Sequence, residues 1–382
     1  ADDCSFSTTI KASASLDQLN SCETLKGKIK ITGDEISSVQ LNKVKKIDAD
    51  VNFYNSSSIT DINFNNLESI SGSLNVQALT QLHSIDFSSL SEAEKLSLIS
   101  LPSFAIINLN KGISSAGSIQ VSDTALSSLQ GLTNFDSIET LNINNNKNIS
   151  SIELDQLDHV KTGLTLSFNG DDCEVKLDNL KWASNLTIQD VADVSVGNLT
   201  EVNGTCVIAY NSFENLEISK LKEVGGSLQI FANDELTEVS FNQLKDIGGE
   251  FRIYNNSELT DIGFPKLEEI KGAVNIKGKF DNFTLKGLKE VDGDFTVVST
   301  SEDFSCDDFK KLHKKKKIEG HNFKCSAPSK KSKSSKGGSS SSGSSDSDDS
   351  SSSGGSSGGD SSSSKSSDAT SLFSTSFLGL TI

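Results

Sequence analysis

The chain contains no methionine, one tryptophan (Trp182), three prolines and four histidines in 382 residues. The histidines, His83, His159, His313 and His321, show no metal-ligand spacing. No G-x-S-x-G, P-loop or paired C-x-x-C occurs either, so the familiar hydrolase, nucleotide and zinc signatures are missing. No apolar run reaches 18 residues, the length a membrane-crossing helix requires. The net charge of -17 opposes nucleic acid as a general partner. The lack of Met, together with a start at Ala1 without a basic and apolar leader, is what a mature secreted chain presents. No catalytic residue, cofactor site or metal site is expected.

What the sequence has in abundance is a repeat. The segments SLQIFANDELTEVSFNQLKDIGG (227–249), EFRIYNNSELTDIGFPKLEEIKG (250–272) and DVNFYNSSSITDINFNNLESISG (50–72) superimpose residue for residue. Each opens on two apolar residues two apart: Leu228/Ile230, Phe251/Ile253 and Val51/Phe53. A second apolar group follows, as in Leu236, Val239 and Phe241, and a Leu-x-x-Ile ending closes the turn, as in Leu244 and Ile247. Weaker copies make about a dozen turns in all, with almost nothing between them. Apolar residues at period two mark strands with one buried face. One turn cannot bury that face alone, so successive turns must stack. Because 3.6-period runs are lacking, the expected fold is all-β: a right-handed parallel β-solenoid of the leucine-rich-repeat type, without outer helices. Asn146, Asn169, Asn211, Asn233 and Asn256 recur five residues after the first inward position. They are expected at a corner that needs left-handed backbone, with amides bonding from turn to turn; a ligand-binding row is the rival reading.

The expected organisation is an N-terminal cap (1–26), the solenoid (27–305), a C-terminal cap (306–328), a Ser/Gly-rich stalk (329–368) and an apolar tail (369–382). Cys4 and Cys22 precede the first turn, and Cys306 and Cys325 follow the last, so each pair is expected to close a cap over an open end. Cys173 and Cys206 lie inside the array and either pair or sit buried separately. Seven N-x-[ST] sequons, at Asn55, Asn148, Asn185, Asn198, Asn203, Asn255 and Asn282, fit passage through the secretory route. The stalk has no apolar group to bury and is dense in serine, a substrate for O-glycosylation. Small residues, a polar spacer and the apolar end SLFSTSFLGLTI form a GPI-attachment pattern, with Gly359 or Asp360 as attachment candidates. The alternative is a frayed hydrophobic tail.

Asp171-Asp172 could be half of the acid/base pair of a polysaccharide hydrolase, although adjacent acids at a corner are usually solvated. The basic stretch KKLHKKKK (310–317), continued by Lys330, Lys331, Lys333 and Lys336, is either a solvated end or a contact for phosphorylated glycan or an anionic membrane. Phe outnumbers Tyr twenty to three, and Phe64, Phe87, Phe241 and Phe264 fall on inward positions. Most of the phenylalanine is therefore expected in the core, and nothing in the sequence supports a carbohydrate-binding groove.

The turns GGSLQIFANDELTEVSFNQL and GGEFRIYNNSELTDIGF, the end motif FSCDDFKKL…IEGHNFKC (304–325) and the Ser-rich stalk together resemble the fungal GPI-anchored cell-wall organisation glycoproteins, whose ectodomain relates to receptor L-domains. Cys173 and Cys206 look additional to the terminal pairs of that family. The resemblance implies a non-catalytic surface glycoprotein needed for wall organisation and integrity, at the plasma membrane and in the wall, held to the membrane by a lipid anchor. Its implied partners are wall polysaccharides or mannoproteins. A module that recognises wall glycan or another mannoprotein is the alternative.

Overall fold

Alternation decides the interior. Leu228 and Ile230 are buried while Gln229 and Phe231 stay partly open, and Phe251 and Ile253 are buried while Arg252 and Tyr254 are not. In the computed structural model, which describes residues 4–329, every such strand pairs in parallel with its counterpart one turn away. Cys206 faces Leu228, Leu228 faces Phe251, Phe251 faces Val274 and Val274 faces Phe295. The result is a parallel β-solenoid of about 13 turns. Its largest sheet has 20 strands, and the second apolar group of each turn builds short sheets of four, four and three strands. Val239, for example, pairs with Ile262, which pairs with Phe283. Leu236, Val239, Phe241, Leu244 and Ile247 are all buried, so one turn contributes every apolar side of the core.

The corner after the main sheet is built from two adjacent residues with different tasks. The first takes positive φ: Asn55, Ala78, Ser100, Asp123, Asn145, Phe168, Asp190, Tyr210, Ala232 and Asn255 do so, at 48° to 59°. The second turns its side chain inward. The expectation that Asn146, Asn169, Asn211, Asn233 and Asn256 themselves hold the left-handed backbone is therefore corrected: they are the second residue. They are asparagine because the bend leaves backbone groups of the previous turn without partners inside the core. Asn233 Oδ1 accepts from the Asn211 backbone N–H at 3.0 Å and from Asn211 Nδ2 at 3.0 Å, while Asn233 Nδ2 donates to the Ile208 carbonyl at 3.1 Å. Asn256 does the same for Asn233 and Ile230, and Asn169 for Asn146 and Ile143. Val191 interrupts the row, yet its own N–H still donates to Asn211 Oδ1 at 3.0 Å. All five amides are buried, which identifies the row as structural and not a ligand surface.

The opposite corner depends on close backbone approach. A Cβ on Gly272 would meet the Gly249 carbonyl carbon at 2.5 Å, one on Gly249 the Gly226 carbon at 2.9 Å, and one on Gly293 the Gly272 carbon at 2.5 Å. Glycine stacks on glycine there because a methyl group would displace the next turn.

The caps are themselves rungs. Ser5–Ala12 pairs with Thr24–Glu35, and Phe323–Ser326 pairs with Phe295–Ser299, so the ladder extends past residues 27–305 at both ends. Helix α1 (Ser13–Asn20) seals one end with Leu16 and Leu19, and helix α2 (Asp307–Lys314) seals the other with Phe309, packed on Phe283, Phe295 and Phe304. Cys4 is bonded to Cys22 and Cys306 to Cys325, with Cα atoms 5.9 and 5.8 Å apart. Closing loops of 18 and 19 residues contributes roughly 3 kcal/mol each in the chain-entropy account. Apart from Ser329, the stalk, together with the tail and Gly359 and Asp360, lies outside the described residues.

Two substitutions test this account by chemical denaturation. Asn233→Ala strands a buried N–H and a buried carbonyl of the previous turn and is expected to cost roughly 2–4 kcal/mol, whereas exposed Asn110→Ala stays within about 0.5 kcal/mol. Gly272→Ala is expected to cost about 1–3 kcal/mol. Gly197→Ala, where an added Cβ meets nothing within 4 Å, is the matching control. Equal stability of all four variants contradicts the two-corner account.

Candidate functional site

In-register stacking carries outward side chains into columns as strictly as it carries inward ones into the core. Phe231 follows the inward Ile230, and Tyr254 follows Ile253, so both point outward and meet across one rung. Their rings stack at 5.0 Å and 7°. Tyr210, on the corner residue with positive φ, packs edge-on to Phe231 at 5.7 Å, and Phe168 reaches past Asp190 to Tyr210 at 5.8 Å. The four rings form a strip outside the main sheet, with Tyr210 40% exposed. Phe64, Phe87, Phe241 and Phe264 lie in the core as expected, and these four aromatics do not. At a rung spacing of about 4.8 Å the stacked Phe231–Tyr254 pair can present only ring edges and the tyrosine hydroxyl to solvent. The Arg252 guanidinium carbon lies 4.6 Å from the centroid of the Tyr254 ring.

The strip ends in a groove of about 700 Å³ lined by Arg252, Tyr254, Asn275, Lys277, Lys279 and Thr300, among others. Arg252 is the sole arginine in the chain. A second open concavity, lined by Ser137, His159, Lys161, Lys181, Trp182 and Thr200, holds the one tryptophan. There the Trp182 and His159 rings lie 6.3 Å apart, and Asp158 pairs with both His159 and Lys181. The outward placement of Phe231, Tyr254 and Arg252 was open to detection in the sequence, since alternation puts them on the face opposite Ile230 and Ile253.

Six of the seven sequon asparagines, all but half-buried Asn198, are exposed. Four use their amide in the fold: Asn148, Asn185 and Asn198 donate to carbonyls of Ala125, Thr162 and Asp178, and Asn282 donates to Asp261. Asn55 and Asn255 stand on the positive-φ corner, and Asn255 lies on the rim of the Arg252 groove.

The remaining candidates separate. Cys173 and Cys206 are both buried and unbonded. Burial, with the nearby charges of Asp190 and Glu174, raises the Cys173 thiol to about 11, and burial alone raises Cys206 to about 12. Neither forms thiolate readily, which removes them as nucleophiles. Asp171 and Asp172 are exposed on a corner. Glu290, Asp292 and Glu319 gather their carboxylates within 4.8 Å, and Lys271, whose ammonium is stabilised first by Asp292 and then by Glu269 and Glu290, already supplies a cation there. In the basic stretch, Lys311 pairs with Asp308 and Lys317 caps the Leu288 carbonyl, while Lys310, Lys314, Lys315 and Lys316 are exposed.

The fold is a disulfide-capped parallel solenoid of leucine-rich turns whose outward side chains stand in columns. The chain is 55% identical over 332 residues to the cell surface GPI-anchored protein ECM33 of Candida albicans, covering 87% of this chain and 80% of that protein. It is 36% identical over 315 residues to the cell wall mannoprotein PST1 of Saccharomyces cerevisiae, covering 82% and 70%. It is 34% identical over 300 residues to the cell wall protein ecm33 of Schizosaccharomyces pombe, covering 78% and 71%. The chain belongs to this ECM33/PST1 family of fungal cell-surface and cell-wall proteins. No family model matches it, and no solved structure does.

A thiol titration checks the assignment of the internal cysteines. The folded protein is expected to show no reactive thiol, and denaturation without reductant is expected to expose two. No thiol after denaturation would mean that Cys173 and Cys206 are oxidised to each other.

Proposed function

We propose that this protein is a non-catalytic, lipid-anchored glycoprotein that contributes to the organisation and integrity of the fungal cell wall. The observation that carries this reading is the extent of the similarity: it runs through the whole stack of turns and not through one repeat. In this reading the solenoid carries the wall function on its rigid columns. Residues 329–368 act as a glycosylated spacer, and residues 369–382 specify the anchor, with Gly359 or Asp360 as the attachment point. The disulfides Cys4–Cys22 and Cys306–Cys325 protect the two ends outside the cell, and N-glycans occupy the exposed sequons. Wall polysaccharides or mannoproteins are the partners this reading implies.

A second reading, that the solenoid is a recognition module for wall glycan or another mannoprotein, is favoured by the outward strip of Phe168, Tyr210, Phe231 and Tyr254. Aromatic groups left outside a core that already buries fourteen phenylalanines are a feature of binding faces.

Removal of residues 370–382 tests the anchor. The truncated protein is expected to leave the membrane fraction and appear in the medium, whereas the full chain is released only by phospholipase. Full retention of the truncated protein in the wall would place the attachment in the solenoid.

A further inference from the structure

The groove at the end of the aromatic strip has the wrong charge for this molecule. In a chain of net charge -17, its lining includes Arg252, Lys277 and Lys279 and no carboxylate. Lys277 and Lys279 are exposed and have no hydrogen-bond or ion-pair partner among the described residues. Arg252 is held in place from two sides. Its guanidinium carbon sits 4.6 Å from the Tyr254 ring centroid, and its Nε lies 3.4 Å from Glu250 Oε1 just outside the groove. That contact is too poorly aligned to count as a hydrogen bond, and Arg252 Nε is buried without one. The carbonyl oxygen of the Asn275 side chain, one rung along from Arg252, is likewise buried and unpartnered. Three cationic side chains with no carboxylate among the lining, two of them free ammonium groups, beside a tyrosine and the Thr300 hydroxyl, match a ligand that carries both hydroxyls and a negative charge.

We propose that this groove binds an anionic saccharide, a hexose unit bearing phosphate or carboxylate. Lys277, Lys279 and Arg252 take the anionic group, and Asn275 and Thr300 bond the ring hydroxyls beside Tyr254. A neutral sugar would leave the two free ammonium groups unused, and a bare anion would leave Tyr254 and the Thr300 hydroxyl unused. The proposal rests on the reading of this sheet face as a recognition surface and assigns its ligand class. A glycan attached at Asn255 stands on the rim of the same groove.

The experiment is calorimetric titration of the secreted, glycosylated protein with glucose 6-phosphate, glucuronate, glucose and inorganic phosphate. One or both charged sugars are expected to bind at least tenfold more tightly than glucose and than phosphate alone, and to weaken as salt is raised. The first two probes distinguish phosphate from carboxylate as the anionic group. Lys277→Glu with Lys279→Glu is expected to abolish binding with unchanged melting, since both side chains are exposed. Tyr254→Ala is expected to weaken it at least threefold. Binding seen only in Asn255→Gln also supports the site and shows that the chain's own glycan covers it. Equal binding of glucose overturns the anionic assignment and leaves the recognition face standing. Equal binding of phosphate reduces the groove to a simple ion site and overturns the proposal, as does no binding in either form. Unchanged affinity in the double lysine variant also overturns it.

Discussion

Every turn of this chain is completed by its neighbours. A parallel strand satisfies its backbone groups only on the strands above and below it, and the bend after each strand leaves further groups that those ladders cannot reach. Here the side-chain amide of the next turn reaches back to them: the Asn233 amide serves the Asn211 N–H and the Ile208 carbonyl. The interior is therefore held in register by polar bonds as well as by apolar contact, and the register is hard to lose. A slip of one residue would turn every inward Leu and Ile outward and strand every buried amide. The glycine column on the opposite corner follows from the same constraint, since turns that stack this closely leave no space for a methyl group.

A register this strict also writes the surface in columns. Whatever residue type occupies an outward position is set about 4.8 Å from its counterparts on adjacent rungs. One such column reads Glu201, Glu223, Asp246, Glu269 and Glu290. Burial, then Glu269 and Glu268, disfavour the charged form of Asp246, and Lys245 and Lys271 oppose them. The aromatic strip is the apolar version of the same effect. Single residues of ordinary type become an extended surface because the fold repeats them, which suits a protein of the cell wall, where the surroundings are themselves polymeric.

The ends show what the repeat cannot do for itself. Two short helices supply the apolar plugs, and each plug is tied to a terminal rung by a disulfide. In α2 the acids Asp307 and Asp308 open the helix and Lys311, His313 and Lys314 close it, in the order that the helix dipole favours. Part of the basic run is thereby accounted for as helix chemistry.

The sequence alone determined the inward positions, the number of turns to within one or two, and the recurrence of asparagine at one corner. These are local patterns, period two within a strand and about 22 residues between turns, and a stack leaves no other way to satisfy them. The capping cysteine pairs were legible for the same reason, since each pair is close in the chain and flanks an open end. Only the tertiary structure decided which corner residue takes the left-handed backbone, because that depends on which side chain must face inward to meet the previous turn. It alone brought Phe168 past Asp190 to Tyr210, left Cys173 and Cys206 apart, and set Arg252 beside Asn275, Lys277 and Lys279. Each of these depends on how side chains one or two turns apart share space. The sequence fixes the turn on which a residue lies, but packing between turns selects its neighbours.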